Sequence, residues 1–303
     1  MKDHTTRRDF LRVATVAVGG ALVGVAGACR GTPESRDATP AGSGDTSGTG
    51  ASPSARSIGL QLYTVRSLMQ DDVEATLASV AEIGYREVEF AGYFDRDPRA
   101  LRATLDGLNL AAPATHLSLD VLRGNLAGAL DTAEILGHRW IVCPWVPENE
   151  RTVAAYRALA AEFNRWGAAC REREMRFAYH NHDFELARVE GIVPLDLLLT
   201  ETDPANVAIE LDLFWVTMGG GDPLAYFARH PGRFPLWHVK DMRGIAGERE
   251  MVAVGEGEID FGAMFARAEQ AGLEHFFVEH DQPADPLASV RASHEHLRQL
   301  LAS

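Results

Sequence analysis

The sequence predicts a single-domain α/β fold, a (β/α)8 barrel over residues 57–303, and three observations predict it. Eight short apolar runs alternate with eight helical patterns along this stretch, the order of a closed parallel sheet. The stretch is about 250 residues long, the usual size of one such barrel. Four of the apolar runs end on His180, Asp212, His238 and Glu279. In this architecture chemistry sits at the C-terminal ends of the strands.

The elements follow in order. Strand 1 is IGLQLYTVR (58–66), and a helix over 70–83 carries Val73, Leu77 and Val80 on one face and stops at Gly84. Strand 2 is REVEFA (86–91), followed by a helix over 98–108 that opens on Pro98, a good first-turn residue. Strand 3 (110–118) leads into a helix over 120–136 that ends at Gly137. Strand 4 (139–145) precedes a long helix over 150–174, and strand 5 is the histidine-rich run 176–185. A helix over 193–202, strand 6 (207–215), a short helix over 222–230 and strand 7 (235–241) continue the pattern. The segment 242–259 is expected to be a long loop on the catalytic face and a lid. A helix over 260–272, strand 8 (276–281) and a closing helix over 286–301 complete it. A doubly wound open sheet is the competing fold, but no Gly-rich phosphate loop follows strand 1.

Residues 1–29 are expected to be a twin-arginine export signal. Arg7-Arg8 precede Asp9-Phe10-Leu11 and a mild apolar run from Val13 to Ala28. Ala26-Gly27-Ala28-Cys29 reads as a lipoprotein cleavage box, with lipid on Cys29 as the expected membrane attachment. Residues 30–56 are rich in Gly, Ser, Thr, Pro and Ala and are expected to be a flexible tether. An exported, periplasmic or membrane-anchored protein is the expected outcome. Cys143 and Cys170 are expected to be buried free thiols.

The formal charge is −14; residues 1–29 carry four basic and two acidic side chains, so the remainder carries −16. So acidic a domain repels phosphate backbones, which excludes nucleic acid as the expected partner. Few Lys or Arg flank the strand ends, which speaks against a phosphorylated substrate.

Side chains alternate along a strand, so residues two apart share a face. His238 and Lys240, Glu210 and Asp212, Glu87 and Glu89, His180 and His182, and Gln61 and Tyr63 form such pairs. Barrel interiors favour branched apolar residues, and so many inward polar groups need a chemical reason. His180, Asp212, His238 and Glu279 offer mixed N and O ligands to one divalent metal. Trp145, Phe94 and Trp215 are candidates for stacking on a substrate ring, with apolar packing the expected role of any single one.

At these residues the chain resembles the sugar phosphate isomerase/epimerase superfamily, with its xylose-isomerase-like TIM barrel. The motifs that carry the resemblance include Gly59-Leu60-Gln61-Leu62-Tyr63-Thr64-Val65-Arg66, Tyr179-His180-Asn181-His182 with Phe184-Glu185, and Leu211-Asp212 with Trp215. His238-Val239-Lys240-Asp241 and Val278-Glu279-His280-Asp281 complete a set spanning residues 58 to 281. The resemblance implies one Mn²⁺, Mg²⁺, Zn²⁺ or Co²⁺ held by His180, Asp212, His238 and Glu279. Many members carry Glu where His180 stands, so Glu185 and His182 are alternative strand 5 ligands. It further implies Glu279 as a base, His182 as its partner acid and Lys240 as a stabiliser of oxyanion charge. Gln61, Tyr63, Glu89, His116, Trp145 and Glu185 are the expected substrate contacts.

The expected function is a carbohydrate isomerase or epimerase that removes a proton next to a carbonyl through an enediolate. A lyase or hydratase on keto-sugars or keto-glycosides is the alternative. An abasic-site endonuclease and a non-catalytic sugar-binding lipoprotein are weaker ones, the first opposed by charge and export, the second by the intact ligand set.

Overall fold

The computed structural model describes residues 57–244 and 249–303. The expected signal (1–29) and tether (30–56) lie outside the described residues. The strands are β1 (Gly59–Gln61), β2 (Glu87–Phe90), β3 (Ala111–His116), β4 (Trp140–Cys143), β5 (Arg176–His180), β6 (Val207–Asp212), β7 (Leu236–Val239), β8 (Asp241–Arg243), β9 (Glu250–Val252) and β10 (His275–Val278). All but β8 and β9 form one closed parallel barrel in the order β1-β10-β7-β6-β5-β4-β3-β2. This is the (β/α)8 architecture the sequence predicts.

The helices outside it are α1 (Arg66–Asp71), α2 (Val73–Ile83), α3 (Pro98–Gly107), α4 (Leu119–Leu136), α5 (Val153–Glu172), α6 (Pro194–Glu201), α7 (Leu213–Met218), α8 (Pro223–Arg229), α9 (Phe261–Phe265), α10 (Ala268–Ala271) and α11 (Pro286–Leu300). Most start on a side-chain cap that satisfies an otherwise unpaired N–H. Asp72, Asp97, Ser118, Thr152 and Asp285 do this for α2, α3, α4, α5 and α11.

Two apolar layers hold the fold. One lies between strands and helices, built by residues such as Leu60, Val88, Ile141, Phe177, Ile209 and Trp237. The other plugs the barrel from inside: Ala114, Trp140, Val142, Ala178, Ala208, Leu236 and Phe277. Alanines on β3, β5 and β6 leave room for the Trp140 and Phe277 rings. Space is tight there, since a Cβ on Gly59 would lie 2.5 Å from the Phe277 ring. Two residues beyond this floor on the same faces stand His116, His180, Glu210, His238 and Glu279. Register agrees, pairing His180 with Glu210 and Asp212 with His238. The apolar plug is thus the floor of a polar chamber at the C-terminal end.

Several expected elements differ. Strand 1 ends at Gln61, whose side chain accepts the Tyr63 N–H and starts a 3-10 turn over Leu62–Val65. Strand 5 ends at His180, and Asp183–Glu185 form a second 3-10 turn. Strand 6 ends at Asp212, which caps α7 by accepting from Trp215 N at 2.9 Å. The helix expected over 260–272 is two short ones, α9 and α10.

The segment 242–259 is a structured excursion. β8 and β9 pair antiparallel, and residues 245–248 lie outside the described residues. Asp241 organises it, its carboxylate accepting the N–H groups of Met242, Gly255, Gly257 and Ile259 at 2.8–3.1 Å. Position 257 requires glycine, because an added Cβ would sit 2.2 Å from Asp241 Oδ1.

Candidate metal centre

Glu89, His116, His180, Glu210, Asp212, His238, Lys240 and Glu279 converge above the barrel floor. All are buried except His116, which is nearly so. Within this chamber two groups place ligand atoms within 4.8 Å of one another: Asp212, His238 and Glu279, and His116, His180, Glu210 and His238. Three of the four expected ligands therefore fall in one group. The fourth, His180, adjoins it, with Nε2 3.6 Å from Asp212 Oδ2.

His238 is the hub. Its Nδ1 lies 2.8 Å from Glu279 Oε2 and 3.9 Å from Asp212 Oδ2. Its Nε2 lies 2.7 Å from Glu89 Oε2 and 3.2 Å from Glu210 Oε2. Glu210 Oε2 also meets His116 Nε2 at 2.8 Å and His180 Nδ1 at 3.3 Å. Lys240 Nζ stands 2.6 Å from Glu279 Oε2 and 3.0 Å from both Asp212 Oδ2 and Asp281 Oδ1.

The electrostatics follow from this crowding. Burial opposes charge on His238, but Glu210, Glu279 and Glu89 outweigh it and hold the imidazole well above its usual pKa. Burial and the neighbouring His238 charge push His180 well below its usual range. Burial, with Glu210 close by, raises Glu89 to about 7. Burial would raise Glu210 as well, yet His238 and His116 outweigh it and keep it ionised. Asp212 is raised to about 6 by burial, against the pull of Lys240 and His238.

A divalent cation fits this donor set. Glu89, Glu210, Asp212 and Glu279 are buried together against the single ammonium of Lys240 and three imidazoles, a surplus of negative charge that burial makes costly. Glu89 Oε1, His180 Nδ1 and Glu210 Oε1 are buried with no hydrogen-bond partner among the described residues. Imidazole nitrogen mixed with carboxylate oxygen suits Mn²⁺, Zn²⁺ or Co²⁺ as well as harder ions.

The remaining expected residues are sorted by the fold. His182 lies beside the cluster, its ring centroid 4.9 Å from that of His180, walled by Trp145, Phe184 and Trp215 at 4.7–5.5 Å. Arg151 lies over both Phe184 and Trp145, and Arg66 lies over Tyr63, so the rim is less poor in cations than the sequence suggests. Gln61 reaches Glu89 Oε2 at 2.7 Å. Tyr63 leaves the strand with the 3-10 turn and is half-buried at the rim. Phe94 packs on the core.

Glu185 is placed elsewhere. Its Oε1 accepts from the hydroxyls of Tyr179 (2.5 Å) and Tyr156 (3.4 Å), and its Oε2 accepts from His182 N (2.8 Å). Those tyrosines belong to the helix-facing layer, where Tyr179 stacks on Phe163. Burial pushes Glu185 up to about 8, and it is a strut under the His182 backbone, away from the ligand groups. Conversely, Glu210 has no role among the sequence-expected site residues. Its signal was the period-two pairing with Asp212 on β6.

A buried His–carboxylate chamber at the mouth of a closed (β/α)8 barrel defines a class, and comparison with known proteins places the chain within it. The family model described as xylose isomerase-like TIM barrel matches residues 77–300, and the chain belongs to that family. It is 27% identical over 244 residues to an inosose dehydratase of Lacticaseibacillus casei, covering 68% of this chain and 78% of that protein. It is 25% identical over 270 residues to a rhizopine catabolism protein of Rhizobium meliloti, covering 76% and 82%. A crystal structure of a sugar phosphate isomerase/epimerase from Parabacteroides distasonis superposes with a TM-score of 0.69 at 26% identity, covering 83% of this chain and 96% of that one.

Proposed function

We propose that this chain is a divalent-metal-dependent lyase that dehydrates a ketone-bearing cyclitol or sugar. The observation that carries the proposal is the Asp212–His238–Glu279 group edged by Lys240, with His182 close by in an aromatic wall. Dehydration next to a ketone needs a base for the α-proton and an acid for the departing hydroxyl, and Glu279 and His182 supply one each. Similarity to the inosose dehydratase favours this over the isomerase or epimerase expected from sequence.

In the proposed reaction Glu279 takes the proton from the carbon beside the carbonyl. The C–H electron pair becomes the new double bond, and the β C–O bond breaks. His182 gives its proton to that hydroxyl, which leaves as water. Lys240, fully buried and paired with Glu279 and Asp212, holds positive charge beside the carboxylate before and after transfer. Trp145, Phe184 and Trp215 shield the leaving group from bulk water. A divalent cation held by Asp212, His238, Glu279 and His180 would polarise the carbonyl and a neighbouring hydroxyl and stabilise the charge on oxygen. We also propose that the reaction takes place outside the cytoplasm, because Arg7-Arg8 and the box ending in Cys29 resemble an exported lipoprotein signal.

Isomerisation or epimerisation is the second reading, favoured by the likeness to the Parabacteroides distasonis protein. Both begin with the same proton removal, so one experiment separates them. The Mn²⁺-loaded protein is incubated with an inosose in D₂O and the products are weighed by mass spectrometry. Loss of one water, with deuterium entering the product only as its enol becomes a ketone, supports the lyase. Deuterium uptake in a product that retains the water supports the isomerase or epimerase. Absence of both exchange and water loss across a panel of inososes and keto-sugars sinks both.

A further inference from the structure

We infer that Glu89, itself oriented by Gln61, is a positioning residue: it accepts the Nε2 hydrogen of His238 and so holds that ring with Nδ1 toward Asp212 and Glu279. The inference rests on the proposed metal-dependent function and assigns a role that substrate contact does not provide.

The chain starts at a backbone group whose polarity is fixed. Tyr63 N–H donates to the Gln61 side chain at 3.0 Å, so that end of the amide is its carbonyl oxygen. The other end is therefore the NH₂, and it donates to Glu89 Oε2 at 2.7 Å. Glu89 Oε2 in turn lies 2.7 Å from His238 Nε2. A carboxylate oxygen accepts only, so the hydrogen on this contact belongs to the imidazole. Nδ1 faces Asp212 and Glu279 and gives its own hydrogen to Glu279 at 2.8 Å in this structure; because Glu89 keeps the Nε2 hydrogen, Nδ1 is the nitrogen that would turn a lone pair to a cation.

Glu210 does not compete for this role. It lies 3.2 Å from the same nitrogen but 2.8 Å from His116 Nε2, so its shorter contact is elsewhere. The strand register also supports the division, because Gln61 and Glu89 are direct neighbours across β1 and β2. Glu89 is wholly buried and out of contact with solvent, which suits a support better than a substrate contact. A ring N–H held by a carboxylate both orients a metal-binding histidine and raises its basicity.

The test is a Co²⁺ titration of chelator-treated protein, following visible absorption, on wild type, Glu89→Gln, Glu89→Ala and Asp212→Ala. Glu89→Gln keeps the shape and tests the charge, so it carries the experiment if Glu89→Ala does not fold. The expected result is a Kd for Co²⁺ raised about 10- to 100-fold in the Glu89 variants, with a shifted cobalt spectrum at saturation. Wild-type Kd and spectrum in Glu89→Gln overturn the inference, as does a raised KM with unchanged cobalt binding, which assigns Glu89 to the substrate. Failure of wild type itself to bind Co²⁺ more tightly than Asp212→Ala overturns the metal-dependent function instead, and the inference falls with it.

Discussion

Lys240→Met is the perturbation that best probes the charge balance of the chamber. The ammonium is wholly buried and lies 2.6–3.0 Å from carboxylate oxygens of Glu279, Asp212 and Asp281. At an effective dielectric near 20, one such contact at about 3 Å is worth roughly 5–6 kcal/mol before desolvation is counted. Desolvation offsets much of that, and removing one partner of a buried ion pair costs about 3–5 kcal/mol net. Methionine fills the space of the lysine stem, so packing is largely preserved and the loss is electrostatic. For a domain of this size 1 kcal/mol moves Tm by about 2–4 °C. The metal-free variant should therefore melt roughly 6–20 °C below metal-free wild type.

The prediction has a second part. Asp212 and Glu279, left without the ammonium, should draw a divalent cation more strongly. Adding Mn²⁺ should raise Tm more in Lys240→Met than in wild type and narrow the gap between them. Melting curves with chelator and with Mn²⁺ measure both. An unchanged Tm in chelator would refute the claim that Lys240 balances these carboxylates, and equal Mn²⁺ shifts in both proteins would refute its coupling to the metal.

Other predictions are more local. Glu279→Gln keeps an oxygen ligand but removes the base, so turnover and deuterium exchange should fall by about 10²–10⁴-fold at full metal occupancy; exchange at the wild-type rate, with metal content measured, would exclude Glu279 as the base. His138 is buried, and burial, against its bond to Ala112 O, lowers its pKa from 6.5 to about 4. The unfolded chain then binds the extra proton, so stability should drop by up to about 3 kcal/mol as pH falls from 6.5 to 4. In His138→Gln that part of the pH slope should vanish from urea titrations. Lysines in place of Arg7 and Arg8 should leave the precursor in the cytoplasm, and Cys29→Ser should release the protein from membranes; fractionation of cells checks both.

What the sequence made legible, and what it did not, divides along the range of the interactions involved. The barrel strands and the polar residues crowning them follow from period two and from apolar runs, both local signals. Strands 1 and 6 run too long in that reading because Leu62-Tyr63-Thr64-Val65 and Leu213-Phe214-Trp215 stay apolar. Only the side-chain caps of Gln61 and Asp212 turn those residues into helix. Asp212 thus offers its Oδ1 to the Trp215 N–H and turns Oδ2 to Lys240, fixing the carboxylate at the chamber wall.

The residues that sequence could not sort are those whose roles depend on distant partners. Glu185 and Glu89 look alike in the chain, each an acid beside a strand end. Glu185 is taken by tyrosines of β5 and α5 and becomes a support for the His182 backbone. Glu89 is taken by Gln61 and His238, across β1 and across the barrel. Glu210, a plain strand residue by pattern, has three imidazoles around one oxygen because β3, β5 and β7 each deliver a histidine to its level. Barrel closure creates these contacts, bringing side chains 28 to 149 positions apart within hydrogen-bond reach. The candidate ligands of such a chamber are written in the strand ends, but the contacts between its carboxylates and imidazoles are set only when the strands close into a barrel.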